Sequence, residues 1–201
     1  MKRLHIPVFT LLFIFLTGCF QTYNGYRGGP PKIYDKYGFP IGGKNQFLTN
    51  DGFVVRDFQL DLEAMTGVGC SGSAAQEYVR MYMHQEALSQ FEVMQSAARK
   101  DGVRLSICSA YRDYEHQKQV KRQLPGKAID AGYSEHHLGT AVDLANVWWS
   151  SSSFRWLKAN AHQYGFILSY YRTSTSGEAN HWRYVGQGAA QQYHDWFGDQ
   201  Y

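Results

Sequence analysis

The sequence predicts an α+β fold in which a small antiparallel central sheet is flanked by helices. Helix-like and strand-like stretches follow one another without regular βαβ alternation, which favours this class over a parallel sheet. The 201 residues suffice for one domain with a tail, and 44% hydrophobic and 16% aromatic residues can supply its core. The net charge of +3 is too small an excess to indicate nucleic acid as a partner.

The first predicted element is an export signal. Two basic residues precede an apolar run from Ile6 to Leu16, which is too short to cross about 30 Å of hydrocarbon as a helix. The run ends in Leu-Thr-Gly-Cys, which resembles the lipobox of bacterial lipoproteins. The resemblance implies that residues 1–18 are removed and that Cys19 carries the lipid. The alternative is a plain signal peptide that ends near a cysteine.

Lipidation would also change the cysteine count and the location. With Cys19 modified, Cys70 and Cys108 remain as a candidate disulfide of an exported protein, and two buried thiols are the alternative. The implied location is the cell envelope, with the membrane contacted through the lipid anchor. In a Gram-negative cell this would be the periplasmic side of the outer membrane, and in a Gram-positive cell the outer face of the cell membrane.

Residues 19–73 are predicted to form a tether, because glycine and proline interrupt the stretch repeatedly. Alternation within residues 52–65 indicates an extra strand or hairpin there. The alternative is that the tyrosines of this stretch pack on the folded part. A domain is then predicted over residues 74–201.

The elements of this domain follow from periodicity. Apolar residues at helical spacing predict a helix over residues 75–100 that ends at Asp101-Gly102, and alternation in residues 103–110 predicts a strand. A polar stretch closed by Pro125-Gly126 predicts the next helix. The later predicted elements are a strand over 138–145, a helix over 152–164, strands over 166–171 and 181–185, and a helix over 189–197.

Two short segments hold the residue types of a metal site. They are residues 134–143, with the sequence SEHHLGTAVD, and residues 178–184, with the sequence EANHWRY. Catalytic zinc typically takes three nitrogen or oxygen ligands, and a separate carboxylate then serves as general base for a metal-activated water. His136 and His137 would point to opposite faces of an extended segment, so only one of them should reach a metal.

The first segment matches the S-x-H-x-x-G-x-A-x-D motif of the VanY-type D-alanyl-D-alanine carboxypeptidases, and the second resembles their E-x-x-H-W-R-Y motif. A third segment, residues 109–113 followed by Gln117, resembles the S-G/A-Y-R segment of the family with its downstream glutamine. The three motifs occur in the family order, and the resemblance covers roughly residues 74–201. It implies the LAS-type metallopeptidase fold, which hedgehog domains share.

Carried over by position, the resemblance implies roles for seven residues. One Zn²⁺ per chain would be bound by His136, Asp143 and His181. Glu178 would act as general base and then protonate the leaving amine. Arg112 would stabilise the oxyanion or bind the substrate carboxylate. Ser134 and Gln117 would contact the substrate.

The implied activity is hydrolysis of peptidoglycan stem peptides with release of the C-terminal D-alanine. An L,D-carboxypeptidase and a peptidoglycan endopeptidase remain alternatives, because the same zinc residues serve any amide. A non-catalytic wall-binding lipoprotein with a structural zinc site is a third, although such a site does not need Glu178. Ala179 and Asn180 stand where the family often has Pro-Trp, and the segment from Tyr170 to Gly177 is short and polar. Both departures concern the predicted wall of the substrate pocket.

Overall fold

Two antiparallel sheets organise the chain. The computed structural model describes residues 31–69, 78–170 and 178–198. These residues form the strands β1 Leu62–Val68, β2 Tyr78–His84, β3 Ile107–Ser109, β4 Ala141–Leu144, β5 Phe166–Ile167 and β6 His181–Tyr184. They also form the helices α1 Gln85–Lys100, α2 Tyr114–Gln123, α3 Ser152–Asn160 and α4 Gln187–Phe197, and two 3-10 helices at Glu135–Leu138 and Ala161–Tyr164.

The larger sheet has the strand order β3-β4-β6-β5 with every neighbouring pair antiparallel, and β1 pairs with β2 in a separate ribbon. The predicted α+β fold with a small antiparallel sheet is therefore confirmed. All four residues of β6 are buried, as expected for a central strand covered on both faces. In the register of β4 against β6, Asp143 lies directly opposite His181.

Helix α1 covers one side of the core with a stripe at helical spacing: Ala87, Leu88, Phe91, Met94 and Ala98. Its Phe91 ring meets Phe166 of β5 edge to face, with 6.0 Å between centroids. Helix α2 begins at Tyr114, where the Asp113 side chain accepts a hydrogen bond from the backbone N–H of His116 at 2.7 Å. The start of α2 is therefore fixed by a local side-chain hydrogen bond.

The predicted helix over residues 75–100 is wrong in its first part, because β2 occupies Tyr78–His84. Its residues pair with β1 along the whole strand, from Leu62 opposite His84 to Val68 opposite Tyr78. The helical spacing of Tyr78, Met81 and Tyr82 is thus overridden by pairing with a partner strand. The strand predicted within residues 52–65 begins only at Leu62, and its partner lies outside that range.

The folded unit starts well before the predicted boundary at residue 74, since Lys32–Tyr201 form one compact unit. Residues 33–48, here called the N-terminal segment, lie on the domain, with Ile33, Phe39, Phe47 and Leu48 buried. Phe39 and Phe47 pack with Leu138 in one apolar cluster. The glycines make tight turns here, with Gly38 at a φ of +81°. What reads as flexible linker therefore brings isolated apolar residues into the core, and only residues 19–31 would be left for a tether.

Gly139 ends the first 3-10 helix with a φ of +67°. A Cβ at this position would lie 2.9 Å from the backbone nitrogen of His84 and 2.7 Å from the Leu62 side chain. The close approach of this turn to the ribbon therefore requires glycine.

The predicted export signal, with Cys19, lies outside the described residues. Cys108 lies in β3 and is disulfide-bonded, whereas Cys70, its predicted partner, lies outside the described residues. Among the described residues there is no helix long and apolar enough to cross a membrane.

Candidate metal centre and active site

Three side chains from two strands and a turn meet at the centre of the larger sheet. His136 comes from the first 3-10 helix, Asp143 from β4 and His181 from β6. One candidate ligand atom of each lies within 4.8 Å of the others. The antiparallel register that places Asp143 opposite His181 brings together residues 38 positions apart in the chain.

His136 presents a free ring nitrogen to this cluster. Its Nδ1 lies 2.7 Å from the carbonyl oxygen of Ala110, which can only accept, so Nδ1 carries the proton. Nε2 is buried without a hydrogen-bond partner and lies 3.3 Å from an Asp143 oxygen. Burial lowers the pKa of His136 to about 4, against the opposing effect of Asp143. A buried, neutral imidazole with an unused lone pair is suited to bind a metal.

In His181, too, the ring nitrogen that faces away from the cluster has a hydrogen-bond partner. Nε2 lies 3.0 Å from the Glu135 carboxylate and Nδ1 lies 3.0 Å from Asp143. Burial lowers the pKa of His181, but the hydrogen bonds to the two carboxylates outweigh this effect and raise the pKa to about 9. With Nε2 donating to Glu135, Nδ1 is the atom that faces the cluster.

Asp143 supplies the carboxylate oxygens of the cluster. One oxygen faces His181, and the other lies 3.1 Å from an Arg112 nitrogen. Burial raises the pKa of Asp143, but His136 and His181 outweigh it and hold the pKa well below its ordinary value. The group is therefore a carboxylate throughout the physiological pH range.

Arg112 follows β3 and extends beside the cluster. One terminal nitrogen donates to Asp143, and the other donates to the Gln117 oxygen at 2.9 Å. Gln117 is fully buried, and its amide nitrogen donates to the Ile129 carbonyl at 2.8 Å. Both ends of the Gln117 side chain are thus hydrogen-bonded within the protein, and its contact with the substrate stays a prediction. Gln117 holds Arg112 in place.

Glu178 lies at the exposed end of the loop that leads into β6. Its backbone carbonyl accepts from the His181 N–H at 3.1 Å, which forms a tight turn. Loss of surrounding water raises the pKa of Glu178, and the negative charges of Asp143 and Glu135 raise it further, against the effects of His181 and Arg112. A carboxylate beside the cluster but not in it is what a general base requires.

The remaining predicted positions have mixed outcomes. Ser134 is buried immediately before the 3-10 helix, and its role stays a prediction. His137 is turned away, since its Nε2 accepts from the Gly132 N–H and its Nδ1 donates to the Arg112 carbonyl. Only His136 of the pair reaches the cluster, but the cause is a 3-10 turn and not an extended strand.

The Ala179-Asn180 pair has a structural role in the described residues. The Ala179 side chain is buried in the core, and the Asn180 carbonyl accepts from the Leu144 N–H at 2.9 Å. Ala179 thus contributes to the core next to β6, and the effect of this departure from Pro-Trp on the substrate pocket stays a prediction. Of the polar segment from Tyr170 to Gly177, residues 171–177 lie outside the described residues.

Four residues around the cluster were not predicted: Glu135, Ser169, Tyr170 and Arg183. Glu135 accepts from Arg183 as well as from His181 and Ser169. The Tyr170 ring lies 4.6 Å from that of His181, centroid to centroid. Glu135 and Arg183 could have been identified from the sequence. Each is a charged residue in a segment expected to be buried, and a buried charge needs an opposite charge nearby.

Two imidazoles and a carboxylate grouped together, with a second carboxylate and an arginine beside them, are the residue types that metal-dependent hydrolases use. A family model described as VanY, D-alanyl-D-alanine carboxypeptidase, matches residues 80–187, just over half of the chain. The chain belongs to this family.

Two curated relatives are D-alanyl-D-alanine carboxypeptidases. That of Enterococcus faecium is 35% identical over an alignment of 116 residues, and the match covers 53% of this chain and 38% of the relative. That of Enterococcus faecalis strain V583 is 34% identical over an alignment of 120 residues, and the match covers 47% of this chain and 45% of the relative. The chain thus aligns with less than half the length of these relatives.

Solved structures show the same fold. The LdcB LD-carboxypeptidase, described in terms of peptidoglycan recognition, has a TM-score of 0.56 at 28% identity and covers 69% of this chain and 74% of its own. A mutant of the vancomycin-resistance D,D-pentapeptidase VanY in complex with Zn(II) has a TM-score of 0.57 at 24% identity, covering 77% and 91%. VanYB in complex with D-alanine-D-alanine has a TM-score of 0.53 at 25% identity, covering 77% and 90%.

Proposed function

We propose that this protein is a zinc-dependent peptidase that releases the C-terminal D-alanine from peptidoglycan stem peptides. The observation that carries the proposal is the cluster of His136, Asp143 and His181, whose candidate ligand atoms lie within 4.8 Å of one another. Family membership and the D-alanine-containing complex of VanYB support this choice of substrate.

The donor set fits zinc. Two imidazole nitrogens and one carboxylate oxygen are ligands that catalytic zinc accepts, leaving a position open. The outer nitrogens of both histidines are already bonded to oxygen acceptors, as is usual for metal-ligating histidines. The buried Nε2 of His136 lacks a hydrogen-bond partner. When bound, zinc would acidify a water molecule and polarise the scissile carbonyl.

The side chains around the proposed zinc ligands carry out the other steps of the reaction. Glu178 takes the proton from the attacking water and passes it to the departing amine of D-alanine. Its raised pKa makes it a stronger base for the first step and lies closer to the working pH, where one group can serve first as base and then as acid. Arg112, held between Gln117 and Asp143, places a fixed positive charge beside the developing oxyanion or the substrate carboxylate. Ser134, buried next to His136, is proposed to contact the substrate.

A digest of muropeptides followed by mass spectrometry tests the proposal. We expect pentapeptides to lose one D-alanine and cross-linked dimers to stay intact. Separation of dimers would instead show an endopeptidase. Binding without any product, with zinc present, would show a wall-binding module.

An L,D-carboxypeptidase is the second candidate, because the LdcB LD-carboxypeptidase shares the fold at 28% identity. The same digest separates the two activities. Loss of alanine from tetrapeptides, with pentapeptides untouched, would assign the L,D specificity.

The proposed location is the cell envelope, with Cys19 lipidated and Cys70 paired with Cys108. The LTGC sequence at residues 16–19 supports the anchor, and the disulfide at Cys108 supports the pairing. Membrane fractionation of the wild type and the Cys19→Ala variant tests the first, with the variant expected in the soluble fraction. Peptide mapping under non-reducing conditions tests the second.

A further inference from the structure

We infer that Asp35, in the N-terminal segment, positions the metal ligand His181 through a buried chain of Arg183 and Glu135. The inference rests on the proposed function, because it assigns an outer layer to the proposed zinc site. Asp35 lies outside the residues 80–187 that match the family model. The site would therefore extend to a part of the chain that the family motifs do not include.

Arg183 is the centre of this chain. It lies two residues after His181 on β6, so both side chains leave the same face of the strand. The guanidinium is completely enclosed, with its side chain 0% exposed. One terminal nitrogen donates to Glu135 at 2.9 Å, and the other donates to Asp35. A buried guanidinium is stable only when such partners are present.

Glu135 connects Arg183 to the proposed metal ligand His181. One carboxylate oxygen accepts from Arg183, and the other accepts from His181 Nε2 at 3.0 Å and from Ser169. The donor to Glu135 must be Nε2–H, so Nδ1, which faces Asp143, is the nitrogen that a metal would bind in place of a proton. The rotation of the carboxylate therefore sets the orientation of the imidazole ring.

Asp35 holds the end of this chain of hydrogen bonds that lies farthest from His181. Its Oδ1 accepts from the backbone N–H groups of Tyr37 and Phe39, at 2.9 and 2.8 Å, and Oδ2 faces Arg183. A further bond, from the Asp35 N–H to the Phe39 carbonyl at 2.8 Å, closes the turn. The carboxylate is thus held by its own turn, independently of Arg183, and acts as a fixed anchor for a residue 148 positions away.

Asp35→Asn is the discriminating variant. If the Asn oxygen keeps the two backbone bonds, its amide nitrogen must face the Arg183 nitrogen, donor against donor. If the amide turns over, both backbone bonds are lost. Either way the anchor is weakened with almost no change in volume. Loss of outer-layer partners typically weakens metal binding about 10–100-fold, so we expect about tenfold weaker zinc binding for Asp35→Asn and a larger loss for Glu135→Gln.

A matched control comes from the same segment. The Tyr37 hydroxyl donates to Glu86 at 3.0 Å, in a separate polar group that also includes Lys36 and Tyr184. Tyr37→Phe loosens the segment two residues from Asp35 but leaves the chain to His181 intact. We expect its zinc affinity to equal that of the wild type.

The measurement is competition for zinc with a chromophoric chelator, together with the visible spectrum of the Co²⁺-loaded protein. Asp35→Asn should weaken zinc binding and alter the Co²⁺ spectrum, with KM unchanged once zinc is saturating. Asp35→Asn added to Glu135→Gln should cost little more than Glu135→Gln alone, because both act through one chain. Circular dichroism confirms that each variant is folded.

Three outcomes would overturn the inference. They are unchanged zinc affinity in folded Asp35→Asn, an equal loss in Tyr37→Phe, and full additivity with Glu135→Gln. A wild type that binds zinc but cleaves no stem peptide would overturn the proposed function alone, and the zinc measurements would still test Asp35. A wild type that does not bind zinc would overturn both.

Discussion

The metal-ligand cluster and the N-terminal segment are stabilised in different ways, although they meet at Arg183. Asp143 and His181 lie opposite each other on two paired strands, so the sheet sets their separation. The N-terminal segment contains isolated bridges in place of regular strands, and it is held by buried side chains, by Asp35 and by scattered backbone hydrogen bonds such as that from Lys36 to Val185. Regular pairing therefore determines where the ligands are, and an irregular segment contributes to how one ligand is oriented. Changes to the cluster should abolish catalytic activity, whereas changes to the N-terminal segment should lower the stability of the fold or the affinity for metal.

Metal removal is the largest expected effect and tests the cluster. Dialysis against EDTA should abolish release of D-alanine, and one equivalent of Zn²⁺ should restore it, because the donor set is that of a single catalytic site. D-alanine release with and without added zinc is the measurement. Full activity in metal-free buffer, confirmed by elemental analysis, would contradict the prediction.

Glu178→Gln should lower kcat about 10²–10⁴-fold, which is the usual contribution of a general base. Zinc binding should be unchanged, since Glu178 is not part of the cluster. Steady-state kinetics on a synthetic pentapeptide and a zinc titration give the two values. Glu115→Gln is the matched control, because Glu115 lies on the exposed face of α2 and pairs with Lys118. An equally active Glu178→Gln would refute the assigned base.

Phe39→Ala tests whether the N-terminal segment is part of the folded core. Phe39 is 1% exposed and packs with Phe47 and Leu138, so its truncation should lower the free energy of unfolding by about 3–5 kcal/mol. Chemical denaturation measures the change. Phe53→Ala is the control, because Phe53 is 71% exposed and should change stability by less than about 0.5 kcal/mol. Equal stability of the two variants would indicate that the segment is a tether after all.

The pH dependence of kcat/KM is the smallest expected effect. Glu178 must be deprotonated to act as base, so activity is full above its pKa and falls about tenfold per pH unit below it. Because the protein raises this pKa, the acidic limb should lie above the ordinary 4.5 of glutamate. Zinc occupancy measured in the same buffers separates this limb from metal loss. A limb below pH 4.5 with zinc retained would contradict the assignment.

The grouping of the three cluster residues could be predicted because they lie within two short motifs that resemble those of a known family. Helix α2 could be predicted because it has local start and stop signals. What could not be predicted depends on contacts distant in sequence. The strand β2 is a strand because β1 pairs with it, and its own spacing equally suits a helix. Asp35 and Arg183 are 148 residues apart, and nothing near Asp35 indicates an arginine partner. The glycines around Asp35 favoured a linker, although they serve the turn that holds its carboxylate.

If Cys19 is lipidated as proposed, the early start of the folded unit, at Lys32, would limit the distance between the active site and the membrane. From Cys19 to Lys32 there are 13 peptide steps (32 − 19), which span at most about 45 Å when fully extended at roughly 3.5 Å each. With the lipid on Cys19 as proposed, the domain could sample only the layer of wall next to its own bilayer. Substrate choice would then be partly a matter of reach. Lengthening the stretch before Lys32 should widen the zone of peptidoglycan that the protein trims in cells.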